Sequence, residues 1–213
     1  MDGMQHLFAS PTGLALGKVK DTADPQSRGR VQVTLLATDM DVWAPCVVPS
    51  AGSNYGVALL PKNDEIVLVA FLAPDQPFVI GSVWSGGSSL PSEAAPVAQR
   101  YEIKTKAGTY LLFDDAAPSV SLTTPHSNSI TITDSGDTCT VTVGGTTIQA
   151  TTSGVTVTTS SSIELKTSTL TVTASSVSVN AATATFSGVV QCDTMIANSV
   201  VGTSYTPGAG NIW

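Results

Sequence analysis

The chain has 213 residues, of which 42% are hydrophobic and only 12% are charged, and its formal net charge is −7. This composition supplies enough apolar residues for a folded core and excludes a wholly disordered chain. The acidic balance disfavours a nucleic-acid-binding surface, because such a surface needs basic residues that neutralise phosphates. Three cysteines, Cys46, Cys139 and Cys192, are too widely spaced for a C-x-x-C metal motif. We expect them to be packing residues in a protein made in a reducing cytoplasm.

The first residues and the distribution of charge divide the chain into parts. Residues 1–10, MDGMQHLFAS, form an N-terminal segment without the basic and apolar regions of a secretory signal, and no apolar run approaches the roughly 18 residues of a membrane span. Eight of the nine Lys and Arg residues lie at or before Lys106. Residues 138–213 contain only three charged residues and 30 Ser or Thr. This change in composition indicates a domain boundary.

Residues 11–84 alternate short apolar runs with turn-forming stretches. Five or six strands of four to seven residues, without helical periodicity, predict a small closed β-barrel. The alternation in residues 30–33 and 66–69 is typical of barrel walls with one face turned inward. The stretch lacks the exposed aromatic residues interleaved with Lys and Arg that single-stranded nucleic acids require.

The turn motifs of this barrel occur in a specific order. They are Asp24-Pro25, Gly29-Arg30-Val31, Ala51-Gly52, Gly56, Pro61, Asp64-Glu65 and Gly81. In this order the segment resembles the OB-fold domain of phage baseplate assembly protein V and of related spike proteins of type VI secretion and other contractile injection systems. It departs from their pattern at Asn63, where Gly is common, but Asn also tolerates a left-handed turn conformation. The resemblance implies an all-β protein with an N-terminal OB-fold barrel.

Residues 85–100, rich in Gly, Ser, Pro and Ala, are predicted to be a linker. Residues 101–135 then begin a new series of short strands, the neck. This neck is similar to the segment that follows the barrel in injection-system spikes. The matching positions are Ile103, Gly108, Phe113-Asp114-Asp115, Ile130, Ile132 and Asp134.

Four acidic residues lie in and after the neck: Asp114, Asp115, Asp134 and Asp137. A glycosidase needs two carboxylates about 5–10 Å apart across a cleft. A calcium loop needs acidic ligands at alternate positions, and neither DSGDT nor FDDAAP has that spacing. We interpret all four as turn residues and predict no catalytic, cofactor-binding or metal-binding residues.

From residue 136 to residue 190 the sequence repeats a short unit. Pairs of apolar residues separated by one residue begin at Val141, Ile148, Val155, Ile163, Leu170, Val177 and Ala184, in steps of 7, 7, 8, 7, 7 and 7. Because no single unit can bury its own apolar side, the period predicts a repeat architecture of short strands. The period alone fits either three chains wound around one axis or a single-chain helix with three similar sides.

The resemblance to injection-system spikes favours three chains and implies an intertwined, homotrimeric β-helix (β-prism) as the shaft. The predicted trimer core is Val141, Val143, Ile148, Val155, Val157, Ile163, Leu165, Leu170, Val172, Val177, Val179 and Phe186. Residues 191–213 lose the period and form the tip or cap. Tyr205, Ile212 and Trp213 are the expected contacts with the tip or with a separate tip protein. Some relatives carry a metal-binding His-x-His pair near the tip, whereas His6 and His126 both precede it here.

The resemblance implies a structural role as the central spike of a contractile phage tail baseplate. Its expected partners are two further copies, a tail tube or baseplate hub protein at the barrel end, and transiently the host outer envelope, which it would puncture. We expect it in the virion after synthesis in the host cytoplasm. The alternatives are the spike of a non-phage injection system and a trimeric receptor-binding tail fibre or adhesin. A depolymerase is disfavoured, because residues 138–204 contain no Trp or Tyr that could line a carbohydrate groove.

Overall fold

The computed structural model describes residues 13–85 and 90–204. Within these ranges the regular structure consists of β-strands and one short 3-10 turn, Ser92–Ala94. The strands are β1 (Gly13–Asp21), β2 (Arg30–Leu35), β3 (Asp41–Pro45), β4 (Ala51–Gly52), β5 (Tyr55–Gly56), β6 (Ile66–Ala73), β7 (Gln76–Val83), β8 (Arg100–Lys104), β9 (Tyr110–Asp114), β10 (Ser119–Thr123), β11 (Ser129–Thr133), β12 (Thr138–Val143), β13 (Thr146–Thr151) and β14 (Gly154–Thr158). The all-β class predicted from the sequence is confirmed.

The first five long strands form one curled sheet in the order β3-β2-β1-β6-β7, with every neighbouring pair antiparallel. The two ends of this order meet through a parallel bridge between Cys46 and Val79. There the backbone N–H of Val47 donates to the carbonyl oxygen of Val79 at 2.8 Å. The bridge closes the sheet into the small barrel that the sequence predicted. The short β4–β5 hairpin lies between β3 and β6 in the chain.

The barrel interior follows from strict alternation along its strands. In β2 and β6 every second residue is buried, beginning with Val31 and Val67. The core consists of Val19, Val31, Val33, Leu35, Ala44, Val67, Val69, Phe71 and Val79. Burying each Val, Leu or Phe side chain contributes about 1.5–3 kcal/mol to folding. This cluster is therefore the main source of the barrel's stability.

The turn before β6 differs from the sequence-based expectation in one residue. The left-handed backbone conformation belongs to Asp64, with φ of 75°, and not to Asn63. The Asp64 N–H donates to the carbonyl of Val19 at 2.9 Å, and its carboxylate pairs with Lys18 at 2.7 Å. Asp tolerates this conformation better than most residues do, and these two contacts hold it there.

Residues 90–99 of the predicted linker are held against β8. Ala94 is buried, and the guanidinium of Arg100 donates to the carbonyl oxygen of Ala95 at 2.8 Å. The Asp115 N–H donates to the carbonyl of Gln99 at 2.8 Å. Composition predicted a linker, and these bonds fix residues 90–99 of it against the sheet. We call residues 90–99 the strap.

The remaining strands, β8 to β14, form one seven-stranded antiparallel sheet in chain order. It includes the whole neck and continues into the first part of the predicted shaft. Over residues 138–158 this differs from the expected winding, because successive units pair with each other inside one chain. The physical reason is the two-residue turns at 144–145 and 152–153, which reverse the chain and bring each strand beside the one before it.

The chain divides into two compact units, with the boundary after Ile163. In the described part of the second unit, residues 164–204, there is no strand or helix. The sequence predicts one strand at each repeat unit, but the single chain has no strand at the units within residues 164–204. An extended segment becomes a strand only when a neighbour pairs with its backbone N–H and C=O groups, and the single chain supplies none here.

Candidate assembly surface

The seven-stranded sheet has one continuous apolar face. Residues directly opposite each other on antiparallel strands lie on the same side of a sheet, so the pairing register assigns every residue to a face. Pairs such as Val120–Ile132 and Ile130–Val141 place the apolar residues together. This apolar face comprises Tyr101, Ile103, Leu111, Phe113, Val120, Leu122, Ile130, Ile132, Cys139, Val141, Val143, Ile148, Ala150, Val155 and Val157.

The opposite side of the sheet, the polar face, consists mainly of Ser and Thr. From β10 to β14 it presents Ser119, Ser121, Thr123, Ser129, Thr131, Thr133, Thr138, Thr140, Thr142, Thr147, Gln149, Thr151, Thr156 and Thr158. Thr has a high β propensity, and its hydroxyl can bond to a neighbour on the same side. Thr133 and Thr138 are such a pair, with their hydroxyl oxygens 3.3 Å apart. The two faces therefore differ in chemistry, although Tyr110 and Leu112 of β9 lie on the polar face and Thr146 pairs with Val143 on the apolar face.

The apolar face is uncovered in the single chain. None of its residues is buried by the described part of the chain, and Phe113, Ile132 and Val155 are 41%, 53% and 70% exposed. Soluble monomers rarely expose a continuous apolar patch larger than a few hundred Å². A patch that extends over seven strands therefore indicates a surface that is buried by assembly.

The spacing of the sequence explains why the apolar residues share a face. A seven-residue step moves an apolar pair from odd to even positions, as from Val141 to Ile148. A two-residue turn pairs odd positions with even ones, so the apolar side is preserved through each reversal. After another two-residue turn, the eight-residue step from Val155 to Ile163 would place Ile163 on the polar side of the sheet. The sheet ends before it, at Thr158.

The structure brings only part of the predicted core together. Val141, Val143, Ile148, Val155 and Val157 lie on the apolar face. The other predicted core residues, Ile163, Leu165, Leu170, Val172, Val177, Val179 and Phe186, are exposed and lie outside any strand. The predicted tip residues Tyr205, Ile212 and Trp213 lie outside the described residues.

The neck residues of the apolar face were missed as core positions. Eight of them, from Tyr101 to Ile132, precede the regular repeat, although the neck sequence has similar apolar pairs that begin at Leu111, Val120 and Ile130. These pairs begin nine and ten residues apart, because the turns between β9, β10 and β11 differ in length. They therefore do not follow the seven-residue period of the shaft. Only the pairing register shows that they continue the same face.

Charged groups gather at the β8 end of the polar face, beneath the strap. Arg100 Nε donates to Asp114 Oδ2 at 2.7 Å, and this bond holds the pKa of Asp114 below its usual value. Lys104 bonds to Glu93 of the strap and lowers the pKa of that carboxyl. Glu102 lies between these pairs, with both carboxylate oxygens buried and no hydrogen-bond partner among the described residues. Burial raises its pKa, and the nearby charge of Glu93 adds to the shift.

Three of the four acidic residues of the neck region, Asp114, Asp115 and Asp134, line one surface pocket, and Asp137 lies in the turn that follows. Asp114 is engaged with Arg100 and accepts N–H bonds from Ala116 and Ala117, while Asp137 has a left-handed backbone in its turn. In the ranges that the structure describes, no group of three or more His, Cys, Asp or Glu side chains could hold a metal ion. Those ranges also contain no helix long and apolar enough to cross a membrane.

The barrel defines the class of the first domain. Three sequential antiparallel strands, a fourth beside the first, and a fifth that returns to the third in parallel form a small OB-type barrel. Residues 15–84 match the family model described as the type VI secretion system/phage-baseplate injector OB domain. This part of the chain is an injector OB domain, and the resemblance seen in the sequence is confirmed there. The matched domain supports a structural, injector-related role. No curated protein matches the chain.

Proposed function

We propose that the protein is the structural central spike of a contractile phage tail baseplate and that it acts as a homotrimer. The observation that carries the proposal is the combination of an injector OB domain with a sheet whose apolar face is uncovered in one chain. A spike must be made of parts that associate along their length, and an apolar surface repeated from strand to strand supports that kind of association.

The two ends of the chain have different tasks in this proposal. The barrel attaches to the tail tube or baseplate hub, as expected from the family that it matches. The repeat units from Ile163 to Phe186 pair between three chains and form the shaft, because their exposed apolar pairs and unpaired backbone groups need partners. Tyr205, Ile212 and Trp213 contact the tip or a separate tip protein. Sheath contraction then drives the spike through the host envelope without covalent chemistry.

A spike of a non-phage contractile injection system is the second candidate. The description of the matched family names both the type VI secretion system and the phage baseplate, which supports either setting. The chain carries no feature in its described residues that separates the two. Both settings require the same assembled form.

The mass of the purified full-length protein in native buffer tests the proposal. Light scattering is expected to give about three times the 21.8 kDa of one chain. A monomer would contradict the trimeric spike. Electron microscopy of particles with this protein labelled tests its location, and we expect the label on the tail axis. Label on lateral fibres would point instead to an adhesin.

A further inference from the structure

We propose that docking of the strap, residues 90–99, on β8 is controlled by pH: the charge of Glu93 holds the strap in place, and a charge on Glu102 loosens it. The proposal concerns the connection between the barrel and the seven-stranded sheet, and it does not depend on how many copies of the chain assemble. Its basis is the set of contacts that joins the strap to β8 and one carboxyl that takes no part in them.

The strap is fastened to β8 at two points. Arg100 Nη1 donates to the carbonyl oxygens of Glu93 and Ala95, at 3.3 and 2.8 Å. Four residues further along the strand, Lys104 Nζ donates to the carboxylate of Glu93. The 3-10 turn around Glu93 packs on β8 and buries Ala94. Glu93 therefore joins the strap to both ends of β8, and its charge strengthens the bond to Lys104.

The carboxyls beneath the strap outnumber the cations. The charged and titratable groups that surround Glu102 on β8, on β9 and on the strap are Arg100, Lys104, Tyr110, Asp114 and Glu93. Arg100 bonds to Asp114 at 2.7 Å, and Lys104 bonds to Glu93. Leu112 lies directly opposite Glu102 on β9 and offers no side-chain donor. Both carboxylate oxygens of Glu102 are buried without a hydrogen-bond partner among the described residues, so its charge opposes docking.

The two glutamates make docking depend on pH in opposite directions. Burial raises the pKa of Glu102, the charge of Glu93 adds to the shift, and Lys104 opposes it without reversing it. The docked strap therefore favours the protonated acid, and docking weakens as the pH rises through the docked pKa of Glu102. The bond to Lys104 lowers the pKa of Glu93, so its contribution is lost as the pH falls through the docked pKa of Glu93.

Docking is consequently strongest near the ordinary pKa of a glutamic acid, about 4.3, and weakens on both sides of it. Above that pH the lowered pKa values of Glu93 and Asp114 keep both carboxylates charged. Of the three carboxyls, Glu102 is then the one that changes its charge. The alkaline side of the pH dependence is therefore specific to Glu102.

Release of the strap lengthens the chain that joins the two domains. Sixteen residues, 84–99, lie between β7 and β8, and the docked strap holds ten of them against the sheet. An extended residue spans at most about 3.5 Å, so the separation that the connection allows rises from roughly 20 Å to roughly 55 Å. The charge of Glu102 thus controls how far the barrel can move from the sheet.

Hydrogen exchange of the full chain, followed by mass spectrometry from about pH 4.5 to about pH 8, tests the proposal. The N–H groups of Ala94, Ala95 and Gln99 are hydrogen-bonded within the strap and report on its docking. Parent and Glu102→Gln are compared at the same pH, so that the intrinsic pH dependence of exchange cancels. Peptides of β2 in the barrel are the internal reference. Glu164→Gln, an exposed residue outside the sheet, is the matched control for loss of one negative charge.

Glu102→Gln is expected to slow exchange in the strap roughly fivefold or more at pH 8, to match the parent near pH 4.5, and to leave β2 unchanged. Glu93→Gln should speed exchange in the strap at pH 7, because the bond to Lys104 is weakened. Equal strap exchange in the parent and Glu102→Gln at every pH would overturn the proposal, and so would a slowing that Glu164→Gln shares. Equal slowing in β2 and the strap would also overturn it, because the change would then be global.

Light scattering of the same variants separates strap docking from the proposed trimer. Each variant is expected to have the native mass of the parent, whatever that mass is. A mass that changes together with strap exchange would overturn the proposal, because protection of the strap would then report assembly. A monomeric parent whose strap responds to Glu102→Gln would contradict the trimeric spike and support strap docking.

Discussion

Arg30 and Asp24 form a two-point ion pair that closes the loop between β1 and β2. Arg30 Nη2 donates to Asp24 Oδ1 at 2.8 Å, and Nε donates to Oδ2 at 3.2 Å. The same carboxylate accepts backbone N–H bonds from Gln26 and Arg28, and its side chain is only 4% exposed. The Arg30 guanidinium also lies 5.6 Å from the centre of the Trp43 ring. The Asp-Pro and Gly-Arg-Val motifs thus serve one structural purpose, which is to fix this loop.

We predict that Asp24→Asn destabilises the barrel, with a fall in melting temperature on the order of 5 °C near neutral pH. The amide keeps the size of the side chain but loses the charge that Arg30 and the backbone N–H groups face. Thermal unfolding followed by circular dichroism measures the change. Asp21→Asn is the matched control, because Asp21 ends β1 just before the same loop and its carboxylate accepts the N–H of Ala23 in the bonds described there. Equal melting temperatures for the two variants would contradict the role of the ion pair.

The same pair predicts how barrel stability depends on pH. The Arg30 hydrogen bond holds the pKa of Asp24 well below its usual value, so the folded state binds a proton less readily than the unfolded state does. The stabilisation is fully present above the unfolded pKa, about 4. It is lost as the pH falls through the folded pKa. Asp24→Asn should therefore differ most from the parent protein above pH 5 and progressively less in stronger acid. A difference independent of pH would argue against the charge.

Leu35 and Leu36 are neighbours with opposite environments, and they test the barrel core. Leu35 is 1% exposed within the core cluster, whereas Leu36 is 55% exposed. Leu35→Ala is expected to lower the free energy of unfolding by about 2–5 kcal/mol, because it removes buried area and leaves a cavity. Leu36→Ala should change it by less than about 0.5 kcal/mol. Denaturant unfolding measures both. A comparable loss in Leu36→Ala would show that Leu36 is buried in the assembled protein.

Gly17 gives a test of close packing between β1 and β2. A Cβ atom at this position would lie 2.2 Å from Cγ1 of Val33, which is fully buried. Gly17→Ala should therefore cost about 1–3 kcal/mol through displacement of the core. Gly81→Ala on β7 is the control, because no atom lies within 4 Å of its Cβ position. Similar stabilities for the two variants would show that Val33 moves aside without cost.

Glu102 predicts a variant that is more stable than the parent. Burial raises the pKa of this carboxyl, so the folded state disfavours its charge. The penalty is present above the folded pKa and disappears as the pH falls towards the unfolded value. Glu102→Gln should raise the melting temperature by a few degrees at pH 7 to 8 and leave it unchanged near pH 4.

Glu93→Gln is the control, and its effect should have the opposite sign. Lys104 lowers the pKa of Glu93, so that its charge stabilises the folded protein above the unfolded pKa and ceases to do so in acid. The variant should be less stable than the parent at pH 7, and the difference should shrink as the pH falls below the unfolded pKa of Glu93. If both variants were more stable than the parent, the loss of one negative charge in this region would explain the effect, and the separate environments of Glu93 and Glu102 would not.

The barrel could be predicted from the sequence because its signals are local. Alternation in residues 30–35 and 66–71 fixes which side chains turn inward, and Gly29, with φ of 71°, marks a turn that favours glycine. The closure at Cys46 and Val79 has no local signal, because a parallel bridge joins strands that are distant in the chain. Closure of the barrel is predicted only by the number and length of the strands taken together.

By itself, the sequence determined the all-β class, the barrel and the period of the second half, because side-chain alternation and turn residues act over a few positions. The tertiary structure decided what that period means between residues 138 and 158. A seven-residue unit is equally compatible with one side of a wound helix and with one strand of a hairpin, since both turn after the same number of residues. The choice depends on which backbone groups pair, and the Gly144-Gly145 turn lets Val141 pair with Ile148 of its own chain. That pairing places Cys139 and the neck residues on one uncovered apolar face.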